Sequence, residues 1–206
     1  MCEAGTLAEL QEELGVCQRC PLSQSRNQLV FGSGNPEADL MFVGEAPGRA
    51  EDAQGLPFVG PAGHLLDDLL ASIGLDRKDV YITNVVKCRP PGNRDPLPLE
   101  VETCNPFLAC QIELIKPKII CELGRIAAGI MMGREIKITR IHGQKFLGRG
   151  YLNVPVFHPA AALRAPATAD LLRQDFVNLK SYLASDEPPP PPPPAPPPEP
   201  EQMGLF

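Results

Sequence analysis

Four short apolar runs set the limits on what this chain can fold into: "ADLMFVG" (38–44), "DVYITNVVKC" (79–88), "KIICELG" (118–124) and "NVPVFHP" (153–159). Each runs into a turn rich in glycine or proline, the signature of a short buried strand. Helical patterns lie between them. "PAGHLLDDLLASIG" (61–74) puts Leu65, Leu66, Leu69, Leu70 and Ile73 on one face and stops at Gly74. Residues 97–117 read as a second helix with Pro106 marking a break or a second start, 124–133 as a short third and 167–185 as an amphipathic last one. "TLAELQEELG" (6–15) precedes them all, capped by Thr6 and closed by Gly15. Alternating strands and helices give an α/β fold class, a three-layer sandwich around a central, mostly parallel four-stranded sheet. In such sheets ligands bind at the carboxyl ends of strands. "GEAPG", "TNVVKCRPPGNRDP" and "HPAAALR" all follow or overlap those ends. Three loops can therefore converge on one site.

A chain of 206 residues suffices for one sizeable core, expected over residues 1–185. The remainder, 186–206, differs in kind, with eleven prolines between Pro188 and Pro200. Such a composition favours polyproline II and a disordered tail. At ~3.1 Å per residue, residues 188–201 would carry the terminal "QMGLF" up to roughly 40 Å from the body. The tail holds four acidic residues and no Lys or Arg, which leaves the body at −2 of the chain's −6. That charge lacks the strongly basic footprint of a non-specific nucleic-acid binder and does not exclude local basic patches. No run of 18 apolar residues and no apolar segment after the acidic N-terminus is present, so a cytoplasmic protein without membrane contact is expected.

Seven cysteines in such a chain argue for metal or thiol chemistry more than for disulfides. Cys17-x2-Cys20 fits a redox pair, a zinc half-site or an iron-sulfur half-site equally well. Cys88 closes the second strand and Cys104 lies in the following helix. Cys110, six residues further on, points about 120° away from Cys104 on a straight helix and does not easily share its site. Cys121 sits in an apolar run and reads as core, and Cys2 as part of a frayed terminus. All-cysteine ligation suits zinc or iron and sulfur alike.

Taken together, "GEAPGRAED", "GLPFVGPAG", "ITNVVKCRPPGNRDP" and "FHPAAALR" resemble the motifs of the family 4, iron-sulfur uracil-DNA glycosylases of bacteria and archaea. The resemblance spans about residues 14–180. It implies a monofunctional enzyme that hydrolyses the bond between uracil and deoxyribose in base excision repair. It also implies a [4Fe-4S] cluster held by Cys17, Cys20, Cys88 and Cys104. Uracil-containing DNA is the implied partner, and a monomer acting at the nucleoid is expected.

That chemistry requires a flipped base, a donor to the departing uracil anion, negative charge near the sugar and a placed water. His158 is the expected donor to uracil O2. Asn84 is expected to pair with uracil N3–H and O4, and Phe58 to stack on the ring. Gly44 and Ala46 belong to the loop wall around it. In family 1 enzymes the first motif reads GQDPYH, whose Asp and Tyr positions are Ala46 and Gly48 here, so the catalytic carboxylate must come from elsewhere. Glu51 is the first expectation: reaching over the space at Gly48, it would exclude the thymine methyl and add negative charge. Glu45 is second, and Asp52 reads as a cap. His64 and His142 read as structural or DNA-facing. DNA contacts are expected from Lys87, Arg89 and Arg94, from Arg140 and Lys145, and from Leu163 as a wedge with Arg164 on phosphate.

"QMGLF" resembles the pentapeptide that binds the bacterial sliding clamp, with Gln202 at a pocket rim and Leu205 and Phe206 buried. Two other readings stay open. One is a non-catalytic iron-sulfur DNA-binding module. The other is a relative that traps uracil-DNA covalently through a histidine on an inserted loop, an insertion "GEAPGRAEDAQGLPF" lacks.

Overall fold

The computed structural model describes residues 2, 4–15, 17–148 and 150–185. The four apolar runs form strands β2 (Leu40–Gly44), β3 (Tyr81–Asn84), β4 (Ile119–Leu123) and β6 (Tyr151–Val156). They pair in parallel in the order β3-β2-β4-β6. Two short antiparallel strands absent from the sequence expectation, β1 (Ser33–Gly34) and β5 (Phe146–Gly148), border them and make a six-stranded sheet. Edges this short offer little unpaired backbone to another chain.

The helices are α1 (Leu7–Gly15), α2 (Arg49–Gln54), α3 (Pro61–Ser72), α4 (Pro98–Ile115), α5 (Arg125–Met132), α6 (Ile138–Ile141), α7 (Pro159–Ala162) and α8 (Pro166–Leu183). Proline opens α3, α4, α7 and α8. Its fixed φ suits the first turn, where its missing N–H costs nothing. Pro106 does not break α4, contrary to expectation. Phe107, Leu108, Gln111 and Ile115 bury the helix beyond it, and tertiary packing of that face outweighs one lost backbone bond.

Alternation along the strands builds two cores. Leu40, Phe42, Ile82, Cys121 and Val154 face α3 and α8, where the Phe42 and Phe176 rings stack with centroids 5.8 Å apart. Met41, Val43, Tyr81 and Ile120 face Leu108 and Ile115 of α4 and Ala127 of α5. Cys121 is thus core, as read. Leu10 and Leu14 of α1 pack with Phe31, Phe107 and Cys110. There Cys2, expected to fray, forms a disulfide with Cys110 across 4.9 Å between Cα atoms. The helical phase that turns Cys110 away from Cys104 brings it to the N-terminal segment. No helix among the described residues is long and apolar enough to cross a membrane. Gln202, Leu205, Phe206 and the rest of residues 186–206 lie outside the described residues.

Candidate active site

The carboxyl ends of β2, β3 and β6 open on one side of the sheet and carry the residues the sequence singled out. Gly44 and Asn84 are register partners on β2 and β3. A Cβ at residue 44 would overlap Asn84 Oδ1 and lie 2.7 Å from the nearest Phe58 ring carbon. Glycine is what lets the amide and the ring meet over the strand end. Asn84 is buried, yet neither Oδ1 nor Nδ2 has a hydrogen-bond partner. Unpaired buried amides are costly, so an unpaired one facing a site signals a ligand with the complementary donor and acceptor.

Phe58 adopts φ 52°, rare for a non-glycine residue. Arg77 holds it there: Nη1 donates to Pro57 O at 3.0 Å, Nη2 donates to Phe58 O, and Nε pairs with Asp67 Oδ1 at 2.6 Å. Gly63 lets α3 press against the same carbonyl, where a Cβ would clash. Sequence reasoning missed Arg77, since an arginine in the turn after a helix carries no local signal of such a task.

His158 caps α7 and its Nδ1 accepts the Ala160 N–H at 3.1 Å. That bond places the imidazole proton on Nε2. Burial lowers the His158 pKa to about 4, against a smaller opposing pull from Glu51. The ring is thus a neutral Nε2–H donor. Its centroid is 5.8 Å from that of Phe58. Gly124, at φ 98°, makes room for it, since a Cβ there would come within 3.0 Å of His158 Cβ.

The three carboxylates take different positions. Glu51 Oε1 accepts from Val59 N at 2.9 Å and Gly60 N at 3.0 Å, closing the loop onto the start of α3. Its Oε2 reaches toward Gly48, 2.7 Å from where a Cβ would stand. Glu45 is half-buried beyond the end of β2, and its pKa is raised to about 7 by burial and Asp95, with Arg125 opposing. Asp52 is buried and caps another turn, accepting from Asn27 N at 2.9 Å and Asn27 Nδ2 at 2.6 Å. Ala46 packs on the core under α4 and α5, so only its backbone remains for the site.

Two expected DNA cations are otherwise engaged. Lys87 is wholly buried, its amine committed to Thr83, Asn84 and Gln111, because the turn after β3 folds it inward. Arg94 makes a two-pronged pair with buried Glu100 at 2.7 and 2.8 Å, locking the start of α4. Arg89 Nε donates to Asn93 Oδ1 at 2.7 Å. Lys145 stands over the Tyr182 ring, while Arg140 and Arg164 are exposed. Leu163, just past α7, leaves 51% of its surface in solvent. His64 is exposed, and His142 is structural: Nδ1 meets Asp175 Oδ1 at 2.9 Å and the ring packs on Phe157.

Cys88 and Cys104 are buried, while Cys17 and Cys20 are half-buried. Burial pushes the Cys88 thiol up to about 11, against the Arg26 guanidinium, and the Cys104 and Cys20 sulfurs push it further. Burial likewise raises Cys104, with Cys20 and Cys17 adding to it. Cys104 therefore lies within electrostatic reach of the other three sulfurs, and Cys20 of Cys88. Two donors already face them: Arg26 Nη1 at 3.2 Å from Cys88 Sγ and Lys87 N at 3.3 Å from Cys104 Sγ. Among the described residues no three metal-binding side chains are set closely enough for a single ion. A multi-iron cluster separates its thiolates more widely than one tetrahedral ion does, and its charge offsets the burial of thiolates.

Residues 31–180 match the family model of the uracil-DNA glycosylase superfamily. The chain is 42% identical to the type-4 uracil-DNA glycosylase of Archaeoglobus fulgidus, over 89% of this chain and 96% of that one. It is 45% identical to that of Sulfurisphaera tokodaii, over 85% of this chain and 84% of the relative. With the corresponding enzyme of Thermotoga maritima it shares 42% identity, over 86% and 94% of the two chains. The resemblance in the motifs thus extends over most of the molecule, and the chain belongs to the uracil-DNA glycosylase superfamily, within its type-4 family.

Proposed function

We propose that this protein excises uracil from DNA and leaves an abasic site. The observation that carries the reading is the buried, unpartnered amide of Asn84, set over Gly44 beside Phe58, whose ring lies 5.8 Å from that of His158. A base flipped out of the stack stacks on Phe58. Asn84 Nδ2 donates to uracil O4 and Oδ1 accepts from N3–H. Cytosine presents the opposite pair there, and two mismatched buried groups reject it. His158 Nε2–H donates to O2 as the base leaves with negative charge.

We infer a different order for the carboxylates. Glu51 spends one oxygen on the loop it closes, which suits a fixed negative charge and a barrier at Gly48 to the thymine methyl. Glu45, poised to titrate near neutrality, is the better proton acceptor for the attacking water. No lysine nucleophile is invoked. The Lys87 amine is wholly buried and held by Thr83, Asn84 and Gln111, which keeps it from the sugar and favours a monofunctional glycosylase over one that cleaves the strand through a Schiff base.

Cys17, Cys20, Cys88 and Cys104 would hold a [4Fe-4S] cluster. When bound, it supplies a structural tie between the N-terminal segment, the loop after β3 and α4. The Arg26 and Lys87 N–H donors fit thiolate ligands.

One assay tests the function. A uracil-containing oligonucleotide incubated with the protein is expected to break on a denaturing gel only after alkali. A covalent shifted band would mean trapping, and intact DNA after alkali would mean binding alone. Leu163, exposed just past α7, is proposed to wedge into the gap the flipped base leaves, with Arg164 and Arg89 on the DNA backbone. Leu163→Ala is expected to lower kcat/KM on duplex DNA about tenfold, part of the few kcal/mol that unstacking costs. On single strands the loss should be small, and steady-state kinetics on both substrates checks this.

The "QMGLF" segment is proposed to bind the sliding clamp through Gln202, Leu205 and Phe206. Removing residues 202–206 is expected to abolish capture on immobilised clamp and to leave activity on short oligonucleotides unchanged. An undiminished clamp signal would refute the assignment.

A further inference from the structure

Lys87 directly precedes Cys88 and is the largest fully buried polar side chain among the described residues. Its Nζ donates to Thr83 Oγ1 at 2.7 Å, Asn84 O at 2.7 Å and Gln111 Oε1 at 2.6 Å. When protonated the amine has three protons to give, and the three acceptors complete the set. The acceptors are anchored in turn. Thr83 Oγ1 donates to Phe31 O at 2.8 Å and Gln111 Nε2 to the same oxygen at 2.9 Å. The main chain of Lys87 is pinned as well: its N–H faces Cys104 Sγ at 3.3 Å and its carbonyl accepts from Val30 N at 2.8 Å.

Burying such a group is expensive, and a methionine would fill the same space without the desolvation. The return for that cost is geometric. The Asn84 side chain has no hydrogen bond of its own, so its direction depends on the backbone that carries it. The carbonyl of that same residue is the point the ammonium grips. We propose that Lys87 is a positioning residue for Asn84: it fixes the peptide plane that aims the base-reading amide and locks that plane to the segment bearing Cys88 and Cys104. The assignment rests on Asn84 reading the base, as proposed above.

A double-mutant cycle tests it, with kcat/KM measured on a uracil oligonucleotide for Lys87→Met, Asn84→Ala and the pair. Lys87→Met is expected to cost about a hundredfold, the usual effect of an ångström-scale misplacement. In the Asn84→Ala background the same change should cost less than about threefold, because residues acting through one another are not additive. The visible thiolate-to-iron absorption, read anaerobically, should be unchanged, since the bond to Cys104 comes from the backbone. Thr83→Val, which removes one acceptor, repeats the cycle with a smaller step and serves if Lys87→Met does not fold. Equal losses in both backgrounds, no loss at all, or loss of the absorption with activity would each overturn the proposal. If Asn84→Ala itself is silent, the base-reading role falls and this assignment with it. If Asn84→Ala is impaired and the cycle is additive, only the role of Lys87 falls.

Discussion

Glu45→Gln is expected to lower kcat by about 10²- to 10⁴-fold, the span general acid–base groups contribute. The wild-type pH profile should rise through about pH 7, where burial and Asp95 hold the Glu45 carboxyl, and that limb should vanish in the variant. The sign follows from the raised value: below it the group is protonated and cannot accept a proton from water. Stability runs the other way. Between the ordinary carboxylate value of 4.5 and about 7 the folded protein keeps a proton that the unfolded chain releases, so stability from this group falls as pH rises. Glu45→Gln should therefore lose activity while matching or exceeding wild-type stability above pH 7, a pairing that chemical denaturation and kinetics check together. Glu51→Gln is the control. Its amide oxygen can still accept from Val59 and Gly60, so the loop is kept, and a smaller loss with the pH limb intact is expected. If the limb follows Glu51 instead, the two roles are exchanged.

The parallel centre of the sheet was legible because each of its strands is an apolar run bounded by turn residues. β1 and β5 were not, since two- and three-residue edge strands carry no periodicity. Gly34 shows what defines β1 instead, a backbone approach to Val80 so close that a Cβ would clash, and such proximity is visible only in three dimensions. The same limit explains the site. Gly44, Asn84 and His158 stand out as candidates because they lie at or just past strand ends within recognisable motifs, and Phe58 because it lies in "GLPFVGPAG". Lys87 beside Arg89 looked like another surface cation, because the residue that buries it, Gln111, lies 24 positions away. Arg77 gave no sign that it clamps Phe58, 19 positions back. Glu51 was placed correctly over Gly48, but its bonds to Val59 and Gly60 depend on how the loop closes. Cys2 was read as frayed for the same reason, its partner Cys110 being 108 residues distant.

His158→Ala is expected to cut kcat by about 10²- to 10³-fold, as loss of one donor to a developing anion does, with KM little changed. Protonation decides how the group acts. An ordinary histidine would change charge near pH 6.5, and a catalytic imidazolium would make activity fall above that pH. Here burial lowers the pKa to about 4, and the Ala160 N–H occupies the Nδ1 lone pair that a second proton would need. The profile should therefore show no inflection from His158 near 6.5, only the Glu45 limb. Stability supplies an independent reading of the same shift. Between pH 6.5 and about 4 the unfolded chain takes up a proton that folded His158 refuses, so this group's contribution is intact above 6.5 and is lost as pH falls through that window. His158→Gln removes that sensitivity. The difference in urea midpoint between pH 7.5 and pH 5 should be smaller in the variant than in the wild type, and an equal difference would mean that native His158 titrates as it does in the unfolded chain and is protonated at pH 5. In that case the anion would be met by a full positive charge below about pH 6.5, and the Nδ1 bond that sets the tautomer would have to be absent there.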